Sequence, residues 1–343
     1  MQINEKTHSR FKKLIELLKQ HSRLLIVLQD NPDPDAIAAA CALRKIANSL
    51  TEIKCSIAHG GTIGRAENRA LVNYLNLNLH SCSGIDFGKF DLIAMVDAQP
   101  ATGNTSLPES VVPNIVIDHH PARRKSRQVQ FTDIRSRYGA TSTILLEYLI
   151  KADIAVDMQL ATALLYGIRS DTQDLGREAI KSDIEAIEFL YPFANKRMLS
   201  EIQIGSVPRE YFQMLESALR NARVYGNSII TSLGTITNPD MIGEVADLLL
   251  REEKTTWTMC SGIFEGRILI SIRAMGPDYR ADKVIKRLVA RKGTGGGHMT
   301  YAGGQVPLQH KTAGEAAKLE KYLEKKFLKI TGSSHLAAEK LIL

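Results

Sequence analysis

The feature that most constrains this chain is a series of short, wholly apolar, β-branched runs, each followed at once by a turn. LLIVL at 24–28 leads through the turn-rich QDNPDPD into the Ala-rich stretch AIAAACALRKIANSL. IKCSIAH at 53–59 leads through a Gly-rich turn to a helix expected around 65–75. DLIAMVD at 91–97 and NIVID at 114–118 have the same character. Continuous apolar runs are the mark of strands buried on both faces, which is the environment of a parallel sheet flanked by crossovers. With helical spacing over 7–20, 141–151 and 158–168, the alternation predicts an α/β fold built on a doubly wound, mainly parallel sheet.

Past about residue 175 the texture changes. Residues 181–222 are helical in pattern, and strands return with SIITSLG, TWTMCSGIF and RILISIRA, the last two flanking a Glu265–Gly266 turn expected to close a hairpin. Helices near 282–292 and 313–328 follow. The chain has 343 residues, beyond the roughly 250–300 at which one core stops growing. The organisation expected is a first domain over 1–195, a helical connector over 196–224, a smaller mixed α/β domain over 225–330 and a tail over 331–343, with a cleft between the domains.

Composition narrows the class further. Lys and Arg number 44 against 37 Asp and Glu, a formal surplus of +7 that suits a soluble surface and admits an anionic partner. The four cysteines form no CxxC pair, which argues against a zinc finger and a disulfide framework. The opening MQINEKTHSRFKKLIELLKQH is charged and amphipathic, without the apolar core of a signal peptide. Apolar runs such as 36–43 fall short of the roughly 18 residues needed to span a bilayer. A cytoplasmic protein with no membrane partner is expected.

The acidic and imidazole residues gather where such a sheet binds ligands. Asp33 and Asp35 follow the first strand, Asp97 ends another, and Asp118, His119 and His120 end a third. Asp171 lies just past the apolar segment ATALLYGI. In open parallel sheets ligands bind outside the carboxyl ends of the strands, at a topological switch point, so these groups can converge. Clustered carboxylates repel one another and call for a cation. Oxygen-rich donors with one or two imidazoles suit Mn²⁺ or Mg²⁺ better than structural zinc.

Five segments taken in order carry a resemblance. NPDPDAIAAA, VDAQP, VIDHHP and YGIRSDT resemble the four motifs of the DHH-family phosphoesterases, and GTGGGHMTYAGG at 293–304 resembles the GGGH signature of their associated C-terminal domain. At this compact size the chain is most similar to the nanoRNase and 3′-phosphoadenosine 5′-phosphate phosphatase group. The resemblance implies two divalent ions, Mn²⁺ foremost and Mg²⁺ second, with Asp97 bridging them, Asp33 on the first, and Asp35, His119 and Asp171 on the second. It implies that His120 contacts the scissile phosphate or protonates the leaving oxygen, and that Asp118 orients the histidines. Two such ions clamp the attacking and leaving oxygens of an in-line displacement and acidify the attacking water.

One position departs from the pattern. The family usually carries His three residues before the first-motif proline, where this chain has Gln29, so Gln29 stands as a poorer donor at a weakened first site. In the second domain, Arg273 and the loop Gly295, Gly296, Gly297 and His298 match the family's phosphate-binding positions, with glycines that let backbone N–H groups approach an anion. The activity implied is hydrolysis of short RNA or DNA oligonucleotides or of nucleotides, and a homodimer is admitted. Two alternatives stand beside it, a RecJ-type single-strand exonuclease and, because of Gln29, a non-catalytic nucleotide sensor.

Overall fold

In the computed structural model, residue 3 and residues 5–176, 179–276, 279–297 and 299–342 are described. The chain divides into two units, Met1–Ser206 and Val207–Leu343. The first opens on α1 (Glu5–Lys19), which buries Leu14, Leu17 and Leu18, and enters β1 (Arg23–Val27). It continues through α2 (Pro34–Leu50), β2 (Lys54–His59), α3 (Ala66–Tyr74), β3 (Leu79–Ser81), β4 (Leu92–Val96), β5 (Ile115–Asp118) and β6 (Phe131–Ile134). Four helices close it: α4 (Thr141–Lys151), α5 (Met158–Asp171), α6 (Lys181–Leu190) and α7 (Lys196–Gln203).

The six strands are all parallel, in the order β3-β2-β1-β4-β5-β6. The order reverses between β1 and β4, so the crevice of a doubly wound sheet opens there. Strand periodicity sends Leu24, Ile26 and Leu28 to one face, into a core shared with the helices. Leu25, Val27, Ile93, Met95 and Val116 point to the other, which is covered by the connecting segments carrying Cys82, Ala98 and Leu107 rather than by long helices. The sheet is thus wound both ways, but its second face is closed by loops and short 3₁₀ turns.

The second unit begins with α8 (Arg209–Asn221) and β7 (Arg223–Tyr225), then β8 (Ser228–Thr235), α9 (Met241–Leu249), β9 (Trp257–Phe264) and β10 (Arg267–Ala274). It ends with α10 (Ala281–Val289), β11 (Thr294–Gly297), β12 (Tyr301–Pro307), α11 (Ala313–Thr331) and β13 (Glu339–Lys340). Its sheet runs β11-β12-β10-β9-β8-β7-β13, antiparallel except for the β8–β9 pair. The β9–β10 hairpin turns on Glu265 and Gly266, both at positive φ, as a two-residue loop between right-twisted strands requires. One sheet face packs on α8 and α9, the other on α10 and α11. Residues 196–224, expected as one connector, are shared out: α7 lies in the first unit and α8 opens the second. Within the expected tail, Glu339 and Lys340 pair with β7.

A buried ion network braces the first unit. Arg135, just past β6, places Nε 3.0 Å from Asp133 Oδ1 and Nη1 2.7 Å from Glu147 Oε2, with Tyr138 and Thr7 completing its donors. Tyr148 donates to the same Asp133 at 2.6 Å, and Arg10 of α1 pairs with it as well. These contacts tie α1, β6 and α4 together. Both carboxylates are wholly buried, so removal of Arg135 leaves Glu147 without a cation and Asp133 with Arg10 alone. Arg135→Met should therefore cost about 3–5 kcal/mol of stability. Urea unfolding of the full chain, followed by circular dichroism, should show the earlier transition moving to lower denaturant.

Candidate metal centre

The site is assembled at the β1/β4 switch point. Asp33 caps α2, its Oδ1 accepting from Ala36 N at 3.0 Å. Two residues on, Asp35 is fully buried and turns to another helix: its Oδ2 accepts from Thr141 N at 2.7 Å and its Oδ1 from Ser142 N at 2.9 Å. These are the first N–H groups of α4, whose own N-cap position, Ala140, has no side chain to offer them. Asp97, at the carboxyl end of β4, adopts a left-handed φ of 56° and accepts from the Thr141 hydroxyl at 2.9 Å. A non-glycine residue held there is backbone strain of the kind that collects at functional sites.

β5 delivers the histidines. His119 Nδ1 contacts the Tyr138 carbonyl at 3.1 Å, so Nε2 points inward, 2.9 Å from Asp171 Oδ2 at the end of α5 and 3.5 Å from Asp97 Oδ1. His120 donates from Nδ1 to Asp118 Oδ1 at 2.9 Å. The far oxygen of Asp118 accepts from Gln99 Nε2 at 2.6 Å, while Gln99 Oε1 accepts from Arg123 N and Ser126 Oγ, each at 2.8 Å. His120 is thus steered by a buried chain running through Asp118 and Gln99.

Two sets of donors meet: Asp97, His119 and His120, and Asp35, His119 and Asp171, the atoms of each set within 4.8 Å of one another. Asp33 is in neither set; its Oδ2 accepts from Gln29 Nε2 at 3.0 Å. A carboxylate only accepts, so Gln29 turns its amide nitrogen to Asp33 and its oxygen to Asn104 Nδ2, 3.2 Å away. In this arrangement Gln29 secures Asp33 rather than offering it an oxygen donor.

The electrostatics call for a cation. Burial, then the charge of Asp171, raises Asp33 and pushes Asp35 up to about 7. Burial with the charges of Asp33 and Asp35 drives Asp97 well above the usual carboxylate range. His119 is held well above its ordinary value by Asp171 and Asp97, against the opposing effect of burial. Asp118 goes the other way: burial opposes it, but the His120 hydrogen bonds win and keep its carboxyl low. One buried atom of the cluster, Asp97 Oδ2, has no hydrogen-bond partner, and His119 Nε2 meets only carboxylate oxygens, those of Asp171 and Asp97. Buried polar atoms are rarely left without a partner. A carboxylate- and imidazole-lined pocket with such a free carboxylate oxygen fits a hard divalent ion.

In the second unit, Arg273 is engaged by Asp247 and donates to Ser271 Oγ at 2.6 Å. The Gly295–Gly297 run, read from the sequence as a loop, is the edge strand β11, paired with Gly304, Gly303 and Ala302. Its glycines have structural work. A Cβ at Gly295 would lie 2.9 Å from Ile285 of α10, and Gly297, at φ 150°, would put one 2.4 Å from the Tyr301 carbonyl. Gly296 alone faces open space. His298 lies outside the described residues.

Sequence reasoning missed Thr141, Ser142, Tyr138 and Gln99. A helix start at GATST with no local cap was the available signal for the first two. Gln99 stands inside VDAQP, but nothing in the sequence shows that it reaches Asp118.

Comparison with known proteins identifies the two domains and the fold. The model of the DHH family's N-terminal domain matches residues 23–168, and that of the DHHA1 domain matches residues 226–326. The chain thus carries a DHH domain followed by a DHHA1 domain. An uncharacterised protein of Methanocaldococcus jannaschii is 35% identical over 317 residues, which span 90% of this chain and 64% of that protein. One of Mycoplasma genitalium is 24% identical, over 46% of this chain and 47% of its own length. The chain therefore spans less than two thirds of both curated relatives. Among solved structures, an exopolyphosphatase-related protein from Bacteroides fragilis superposes with a TM-score of 0.73 at 17% identity, covering 94% of this chain and 98% of that one. RecJ from Thermus thermophilus, in complex with Mn²⁺, gives a TM-score of 0.54 at 14% identity, over 95% of this chain and 55% of its own. These likenesses establish the fold.

Thr141 supplies the prediction. Thr141→Val keeps the backbone donor to Asp35 but removes the hydroxyl that steadies Asp97. Loss of such a supporting partner typically costs about 10–100-fold in metal affinity. Mn²⁺ titration of the full chain by electron paramagnetic resonance should show that weakening with an unchanged circular dichroism spectrum; an unaltered titration would refute it.

Proposed function

We propose that the chain is a metal-dependent phosphoesterase that hydrolyses short oligonucleotides or nucleotides, with Mn²⁺ as its preferred ion. The observation that carries this reading is the cluster of Asp35, Asp97, His119 and Asp171, in which the buried Asp97 Oδ2 has no hydrogen-bond partner. When bound, a pair of divalent ions supplies charge neutralisation of the transferring phosphoryl group and a more acidic water. Asp97 would be a ligand common to both ions, its Oδ1 secured by Thr141 and its Oδ2 without a hydrogen-bond partner. Asp35, His119 and Asp171 would hold one ion and Asp33 the other, with Gln29 fixing the orientation of Asp33.

His120 is the proton donor in this reading. Its Nδ1 is committed to Asp118, whose carboxyl is held low, and about 30% of its side chain is open to solvent. Nε2 is the atom that would protonate a departing oxygen. In the second unit, Gly296 offers open backbone to a non-reacting phosphate, and Arg273 would exchange Asp247 for it. The Mn²⁺-bound RecJ structures, with TM-scores of 0.54 and 0.52, share the fold and support a hydrolase of phosphate esters.

Asp97→Asn should abolish hydrolysis while leaving the fold intact, because it strips charge from the shared ligand. The assay is Mn²⁺-dependent turnover of RNAs from dinucleotides to about two dozen residues, nucleoside bisphosphates, cyclic dinucleotides and pyrophosphate. Residual turnover above a few per cent would remove Asp97 from the centre. Tight nucleotide binding by a wild-type chain that hydrolyses nothing would favour the sensor reading instead.

A further inference from the structure

The charge of this chain is not spread evenly. Residues 281–331 hold eleven Lys and Arg against four Asp and Glu, a surplus equal to the +7 of the whole protein. The sequence of α11, with KLEKYLEKK at its centre, looks balanced by pairing along the helix. The structure spends the acids elsewhere. Asp282 accepts from Arg280 Nε at 2.8 Å, and Glu315 accepts from the backbone N–H groups of Gln309 and His310, each at 2.8 Å. Glu320 turns to the sheet, accepting from Ser232 Oγ at 2.6 Å and Ser261 Oγ at 2.9 Å, and Glu324 accepts from the Tyr225 hydroxyl. Among the described residues, none of the eleven basic side chains forms an ion pair.

Three of these cations, Arg291, Lys292 and Lys318, line an open cavity of about 800 Å³ beside the end of α10 and the start of α11, together with His310, Tyr322 and Glu315, whose carboxylate is taken by backbone N–H groups. Tyr322 is 42% exposed, and its ring is flanked by Lys292 Nζ at 5.2 Å and Lys326 Nζ at 5.5 Å from the centroid. Both lysines lie over the ring, so a base would stack on Tyr322 by displacing an ammonium group, which is then free to take an adjoining phosphate. A membrane surface would want apolar side chains to insert, and among the described residues of α10 and α11 Tyr322 is the one large exposed hydrophobic. The cavity lies by Val306 and Pro307, whereas Arg273 pairs with Tyr301 at the other end of β12. Six residues of strand separate these ends by about 20 Å.

We propose that this α10–α11 face binds single-stranded nucleic acid, with Arg291, Lys292 and Lys318 on phosphates and Tyr322 against a base. The strand is held well away from the Arg273 end of the sheet, so this is a contact for a longer chain than a dinucleotide. It does not rest on hydrolysis.

The test is fluorescence anisotropy of a labelled oligouridylate of about 12 nucleotides with the full chain, in EDTA, across a range of KCl. The triple variant Arg291→Ala, Lys292→Ala, Lys318→Ala should bind at least about tenfold more weakly. Its slope of log affinity against log salt should shrink by about 2, at ~0.7 per single-strand phosphate contact. Tyr322→Leu should weaken binding about fivefold or more, one base–aromatic stack, with the slope unchanged. Wild-type affinity and slope in the triple variant would overturn the proposal. So would displacement of the RNA by equimolar uridine monophosphate, or loss of binding to phosphatidylserine vesicles with RNA binding retained. RNA binding that depends on these residues, in a chain that hydrolyses nothing, would leave this proposal standing and remove only the phosphoesterase reading.

Discussion

The contact on which the first unit turns is a carboxylate set on a helix end. Asp35 reaches from the first turn of α2 to accept both leading N–H groups of α4. A helix terminus buried without partners is costly, and α4 starts at an alanine cap that can satisfy nothing itself. The bond therefore fixes α4 against α2. With α4 comes the Thr141 hydroxyl on Asp97, so one contact positions carboxylates delivered by two different strands. The partial positive charge at the helix end also tempers the negative charge being concentrated there.

What could be read from the sequence followed from burial. β1, β4 and β5 lie inside the sheet, so their apolar runs are unbroken and the acids at their ends were legible as a cluster. β3 and β6 form the edges, and there the signal fails. β3 is three residues long and mostly exposed, while β6, Phe-Thr-Asp-Ile, interrupts its pattern with the Asp133 that holds Arg135. α9 is only nine residues and sits between strands expected from 228 and from 256, a gap the apolar-run criterion passes over. The acidic and imidazole side chains of the cluster were legible because their chemistry is distinctive. Their supports were not: Thr141, Gln99 and the Tyr138 carbonyl act through positions that only the folded chain brings together.

The second unit shows how composition conceals geometry. A net charge of +7 is unremarkable until it is placed, and pairing along a helix cannot be assumed when each glutamate has a better acceptor role in the sheet or a turn. The glycines make the same point in reverse. A run that reads as a flexible phosphate loop is a strand, and two of its three glycines are required by the close approach of α10 and by the turn beside Tyr301.

Gly167 gives the first unit a limit of another kind. It lies inside α5, where glycine costs about 1 kcal/mol relative to alanine. A Cβ there would stand 2.9 Å from Ser142 Oγ, 3.1 Å from the Asp35 Cα and 3.2 Å from the Pro34 carbonyl. One turn further on, the same helix presents Asp171 to His119. The routine engineering remedy of replacing a mid-helix glycine with alanine would here press on the Ser142 side chain and on the α2 backbone at Asp35 itself. For this scaffold, local helix stability and the compactness of the centre are opposed, and a search for thermostable variants that treated Gly167 as a weakness would select against the site.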